Sequence, residues 1–275
     1  LIIRKFNVMR AKKTKGKKDD LDDQNKIKIY LNKTWVKFVP AAFGGGILQV
    51  NLLVDTILAS LLGFGSISFL YFADRIAQLP LGIIGIALGS VLLTSLSKEY
   101  AKKDKKNFSN NLIISLKIGL FFSIPTAVAF ISFSELFVSA LFERGEFTSL
   151  ETIQTSHALV AYSVGIPAFI MLKSCQPAFF AEGNTKTPLY IGIILLVLNI
   201  FLSILFMYYW EHAGIALATS VASWIGVIIY IFLLIKTDKI IKPINNQSNK
   251  YLSYNILLIY FLKILMVSLL MIGSM

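Results

Sequence analysis

The chain has 275 residues, 56% of them hydrophobic, and a formal net charge of +12, with a mean hydropathy of +0.69. That composition excludes an ordinary soluble domain and reads as an all-α polytopic membrane protein. The positive charge does not read as a nucleic-acid surface: of 27 Lys and Arg, twelve lie in the first 37 residues, five between Lys98 and Lys106 and four between Lys236 and Lys250. Basic clusters beside apolar spans mark loops near an anionic cytoplasmic leaflet.

The chain opens Leu1-Ile2-Ile3-Arg4, without an initiator Met or a signal-peptide pattern. Residues 1–39 are predicted as a basic cytoplasmic region, charge-rich and loop-like over 10–26. The stretch Ile27 to Val39 alternates large apolar residues with Lys, which suits either an amphipathic helix on the membrane surface or a connector. Seven apolar segments are long enough to cross, at 40–62, 66–96, 112–133, 155–181, 189–210, 213–235 and 252–273. The first six form one transmembrane lobe over 40–236, followed by a basic loop at 237–251 and an additional, truncated helix in 252–275. The segment 66–96 exceeds one bilayer crossing, so its last turns are expected in the cytoplasm. Ser134 to Thr152 is read as an outer loop with one Arg and four Glu, and His212–Gly214 as a short turn. All Lys-rich connections then share one side, which puts the N-terminus in the cytoplasm. Gly82, Gly85 and Gly89 form a small-residue stripe that invites close helix packing.

Arg75 stands out because it lies about 15 Å beyond Gly65, near the midplane of a hydrocarbon core about 30 Å thick. A charge there costs several kcal/mol, so it is either functional or a buried pair with Asp74 that locks helices. Ser68, Arg75, Gly82 and Gly89 recur every seven residues, with Tyr71 and Gln78 beside them, and this stripe is expected to face a bundle interior or a water-filled cavity. Lys173 is a second internal cation that either serves the same cavity or snorkels; Lys117 is shallower, and snorkelling suits it. Asp55, Ser203 and Thr219 fall at similar outer depths, with Asn199 one turn away. Oxygens at one level serve either a hard cation or hydrogen bonding between helices. No nucleophile–base pair, metal-ligand spacing or phosphate loop points to an enzyme. Cys175 is the single cysteine and implies no disulfide.

Several of these residues sit in motifs. Val54-Asp55-Thr56-Ile57-Leu58-Ala59-Ser60, Tyr71-Phe72-Ala73-Asp74-Arg75-Ile76-Ala77-Gln78-Leu79-Pro80 and Gly85-Ile86-Ala87-Leu88-Gly89 stand in order. Ser95-Leu96-Ser97-Lys98, Phe142-Glu143-Arg144-Gly145-Glu146-Phe147-Thr148, the Lys173 segment and Gly183-Asn184-Thr185-Lys186-Thr187-Pro188 follow them. From about Pro40 to Lys236 this order and spacing resembles the MurJ/MviN lipid II flippases. The resemblance implies fourteen spans in two six-helix lobes plus two further helices, around a central cationic cavity. This chain would be the second lobe, beginning just before the seventh family span and stopping within the thirteenth, with the first lobe missing. Substrate-binding positions of the family fall on Ser68, Asp74, Arg75, Lys173 and Gln78, the last in place of a Glu in some members. A sodium site would fall on Asp55, Asn199, Ser203, Ile215 through its carbonyl, and Thr219, with Ser203 replacing a carboxylate. The implied function is export of lipid II across the bacterial inner membrane by alternating access, with membrane lipid and the first lobe as partners and sodium as the coupling ion. Related polysaccharide-lipid or multidrug exporters of the same superfamily, or a non-transporting membrane fragment, are the alternatives. Reporter fusions test the orientation: one at Lys105 should read cytoplasmic and one at Glu146 periplasmic, and a cytoplasmic signal at Glu146 would overturn the span assignment.

Overall fold

A segment surrounded by hydrocarbon must pair every backbone N–H and C=O within itself, which for an open chain means helix. The computed structural model describes residues 49–237 and 254–273, together with Gly46, Ile47, Leu31, Thr34, Trp35 and Phe38, and among them every regular element is helical. In chain order these are α1 (49–60) and α2 (Ser66–Pro80), which runs through a π-helical turn, Leu81–Gly85, into α3 (Ile86–Ala101). Then come α4 (Lys105–Ser132), α5 (Ser134–Phe142), α6 (Ser149–Phe180), α7 (Lys186–Lys236) and α8 (Tyr254–Gly273). Of the expected surface segment 27–39, Leu31, Thr34, Trp35 and Phe38 are helical and exposed; its other positions, residues 1–26 and most of 237–251 lie outside the described residues.

Four described stretches are long and apolar enough to cross a membrane: Ser66–Ala101, Lys105–Ser132, Ser149–Phe180 and Lys186–Lys236. The last folds back on itself. Twenty residues of straight helix would separate Asn199 from Thr219 by about 30 Å, yet Asn199 Nδ2 lies 2.9 Å from Thr219 Oγ1. The backbone leaves helical geometry at Trp210 and Glu211, where Glu211 has φ 48°. The two arms are therefore the expected spans 189–210 and 213–235, with the turn earlier than the anticipated His212–Gly214. Gly214 is helical: a Cβ on it would stand 2.3 Å from the Phe206 carbonyl oxygen, so it serves the close return of the chain.

Two further boundaries move. The Lys-rich tract expected as a loop is mostly helix, because Asp104 caps α4 by accepting from Asn107 N at 3.0 Å, and only Lys102–Asp104 connects α3 to α4. The hydrogen bond from the Asn107 backbone holds the Asp104 carboxyl below its ordinary range. Within the expected outer loop, α5 is a nine-residue helix, too short to cross and anchored by buried Val138. Thr148 and Glu151 then form a reciprocal capping box that starts α6.

The helix α6 is the central post. One apolar core gathers Leu96, Leu112, Leu116, Cys175, Phe179 and Tyr230 at the basic end, and a second gathers Leu70, Ile76, Leu159, Ile166, Ile170 and Ile215 toward the other. Three α7 side chains hydrogen-bond α6 carbonyls: Ser220 Oγ donates to Ala161 at 2.7 Å, Trp224 Nε1 to Val164 at 2.9 Å, and His212 Nε2 lies 2.9 Å from Gln154 O. They flank the site where Pro167 deprives the Ser163 carbonyl of its helical donor. A Cβ on Gly165 would stand 2.5 Å from Ser220 Oγ and 2.9 Å from its Cα, whereas one on Gly82 would meet nothing within 4 Å. Gly165→Val should therefore cost about 1–3 kcal/mol through overpacking, and Gly82→Ala should cost nothing and raise stability by up to about 1 kcal/mol; thermal unfolding in detergent measures both.

Candidate functional site

The polar stripe of α2 faces outward from this bundle. Its buried face is Leu70, Ala73, Ile76, Ala77 and Pro80, and Ser68, Tyr71, Arg75, Gln78 and Gly82 are all exposed. The expectation that the stripe looks into the interior of the bundle is thus corrected: the interior is filled by apolar and small side chains that pack better there. The seven-residue repeat also breaks at Gly89, whose Cβ would stand 3.2 Å from the Lys173 carbonyl oxygen. The π turn at Leu81–Gly85 has more residues per turn than an α-helix, so positions beyond it rotate off the face that Arg75 shares with Gly82. Of the small-residue stripe, Gly85 and Gly89 admit α6 and Gly82 stays open.

Arg75 is supported by a ring instead of a carboxylate. Its guanidinium carbon lies 4.6 Å from the centroid of Tyr71, one turn earlier, a cation–π contact. Asp74, half-buried, accepts from the Gln78 side chain, one turn later. Adjacent residues of a helix point about 100° apart and do not face each other, which is why the Arg75–Asp74 pair does not form. Among the described residues the ion pair present is Lys102–Glu99, at 3.9 Å. Lys173 is half-buried, with its Cγ 3.6 Å from where a Gly85 Cβ would stand. Gly85 lies ten residues beyond Arg75, so the Lys173 stem meets this helix about 15 Å along the axis from the Arg75 backbone.

The oxygen-rich residues of the expected cation site do converge, with one exception. Thr219 Oγ1 lies 3.4 Å from Asp55 Oδ2, 2.9 Å from Asn199 Nδ2 and 3.3 Å from the Ile215 carbonyl. Asn51 joins them, donating to Asp55 Oδ2 at 3.1 Å. With its amide turned, Asn199 donates to Asp55 Oδ1 at 3.1 Å and to Asn51 Oδ1 at 3.0 Å while accepting from Thr219 N at 3.2 Å. The cluster ties α1 to both arms of α7. Ser203 does not belong to it: its hydroxyl is buried without a hydrogen-bond partner. Sequence reading missed Asn51, although its spacing of four from Asp55 puts both on one helix face. It also gave no role to His212, which is buried against Gln154 and packs on Phe69 with ring centroids 5.3 Å apart.

The family model described as lipid II flippase MurJ matches residues 16–275. A probable lipid II flippase MurJ of Vibrio cholerae serotype O1 is 36% identical over 188 residues, which cover 68% of this chain and 36% of that protein. A solved lipid II flippase MurJ in an inward closed conformation is 30% identical with a TM-score of 0.65, covering 86% of this chain and 51% of its own. An outward-facing multidrug resistance MATE family transporter of the MOP superfamily superposes with a TM-score of 0.66 at 16% identity, which speaks for the fold alone. The chain thus spans about half or less of the length of the relatives it matches.

The two hydroxyls of the α7 arms separate by their partners. Thr219→Val removes three contacts inside a buried network and should cost roughly 1–3 kcal/mol. Ser203→Ala removes a hydroxyl that has no partner and should cost nothing measurable; the melting temperatures of the two variants in one detergent compare them directly.

Proposed function

The chain belongs to the lipid II flippase MurJ family, and on that premise we propose that it is the second lobe of a transporter that moves lipid II from the inner to the outer leaflet of the bacterial inner membrane. One observation carries this reading: Arg75 is exposed beside Tyr71, with no carboxylate paired to it among the described residues. A cation left in lipid costs several kcal/mol, so this face needs either protein or water against it. A first lobe, such as the greater length of the relatives allows for, supplies that wall, and the cavity between the lobes is the substrate path. An open guanidinium suits the bidentate grip of a diphosphate. A cationic drug would want a carboxylate there, which disfavours the multidrug alternative.

Mechanistically, Arg75 and Lys173 act at successive levels, because their backbones are offset by about 15 Å along the axis. Lys173, nearer the basic and therefore cytoplasmic end, meets the headgroup first, and Arg75 holds it at mid-depth while the lobes rock. Ser68 and Gln78 line the same face, and Asp74 is held aside by Gln78. The N-terminus lies in the cytoplasm. Sodium fits the oxygen cluster: one carboxylate among neutral amide, hydroxyl and carbonyl oxygens offers a hard monovalent cation its ligands. Asp55, Asn199, Thr219 and the Ile215 carbonyl, with Asn51, would hold it, and sodium would then stiffen the α1–α7 junction. Melts of the wild type and Thr219→Val in sodium and in potassium test this: a sodium-specific rise that the variant loses supports it, and equal melts in both salts overturn it.

Lipid II translocation tests the central reading. This lobe alone should fail to rescue cells depleted of a lipid II flippase, and in the assembled transporter Arg75→Ala should abolish transport at unchanged protein level. Arg75→Lys should also transport poorly, since an ammonium keeps the charge without the fork. Recovery of transport in the Arg75→Ala, Asp74→Ala double variant would instead make Arg75 a structural partner of Asp74.

A further inference from the structure

Away from the polar stripe, α4 and α8 enclose a groove of about 470 Å³ lined by Ile114, Lys117, Ile118, Phe121, Phe122 and Tyr260. The five α4 residues fall at intervals of three and four, so they form one helix face, and that face is open: Ile114, Ile118, Phe121 and Phe122 are between 40% and 53% exposed. Lys117 is the cation in this lining. Its Nζ lies 5.9 Å from the centre of the Tyr260 ring, and among the described residues no carboxylate pairs with it. Its depth is informative. Lys117 lies about 18 Å from the start of α4 and Tyr260 about 9 Å from the start of α8, and both helices begin at the basic end. An α4 of 28 residues is about 42 Å long, beyond the roughly 30 Å of hydrocarbon, so Lys117 sits just inside the core on the basic side, within snorkelling reach of headgroups. Phe121 and Phe122 continue from it toward the bilayer centre.

We propose that this groove is a seat for a monoanionic phospholipid of the leaflet at the basic end, independent of what the transporter carries. Lys117 binds the phosphate, the Tyr260 ring holds the ammonium in place, and one acyl chain lies along Ile118, Phe121 and Phe122. A cation above an apolar channel that deepens into the membrane is complementary to an acidic lipid and to no soluble anion.

Native mass spectrometry of the intact protein tests the seat, after reconstitution in nanodiscs of phosphatidylethanolamine mixed with equal parts of phosphatidylglycerol and phosphatidylcholine. The wild type should retain phosphatidylglycerol in preference to phosphatidylcholine. Lys117→Gln should lower that preference about fivefold, the effect of one basic residue beside an anionic lipid, and Lys117→Arg should keep it. Ile118→Trp, which fills the groove and leaves the charge, should reduce phosphatidylglycerol retention as well. Equal retention of the two lipids by the wild type, or an unchanged preference in either Lys117→Gln or Ile118→Trp, overturns the proposal. So does a groove that holds added polyprenyl diphosphate and releases phosphatidylglycerol.

Discussion

The approach of Gly165 to Ser220 is the contact on which the rest of the bundle depends. Hydrocarbon gives helices no hydrophobic reason to associate, so they gain by van der Waals contact and by hydrogen bonds made at short range. The missing side chain at Gly165 brings the second arm of α7 close enough for Ser220 to reach the Ala161 carbonyl and for Trp224 to reach that of Val164. With that arm fixed, its hairpin partner is fixed too, through Asn199 and Thr219. The same hairpin then holds Asp55 and with it α1. On the other side of α6, Gly119 abuts Ile170, and Gly89 abuts the Lys173 backbone, which sets α4 and α3.

A lobe assembled this way is complete in its packing and incomplete in its solvation. The apolar cores close around α6, yet one face of α2 carries Ser68, Tyr71, Arg75 and Gln78 into the surroundings. The exposed leucines and isoleucines elsewhere on the surface need only lipid. On the function proposed above, the two kinds of surface are a face for the bilayer and a face for protein and water, and Arg75 marks the second.

Much of this was legible in the sequence, for reasons tied to particular residues. Span positions follow from apolar length, and the family is legible because Asp74-Arg75 and Glu143-Arg144-Gly145 stand in ordered motifs. Convergence of Asp55 with Thr219 was foreseen from depth, because crossings of fixed thickness put residues at equal rise on one level, while Asn199, a turn off that level, entered the set through the family resemblance. What depth does not give is azimuth. Ser203 shares the level and points where no partner waits, and the stripe of α2 turned out to face away from its own bundle. Helix α5 was hidden because a nine-residue stretch with Ser134, Glu135 and Ser139 among its apolar residues looks the same in a loop as in a short helix. The π turn was hidden because Leu81–Gly85 has the same apolar and glycine composition as the first turn of the α-helix that follows it.

That π turn changes what chain length means in this region. In a loop, one residue more or less is absorbed by slack. Within Leu81–Gly85 the helix continues on both sides and holds one residue more than an α turn of the same sweep, so a one-residue deletion would close the turn to α-helix with the two halves aligned as before, whereas straightening it without a deletion would turn one half against the other by about 100°. Because α3 is keyed to α6 through Gly89, the half that swings is the one bearing Arg75. The bearing of Arg75 thus depends on how one extra residue is held two turns away, at positions that never touch it.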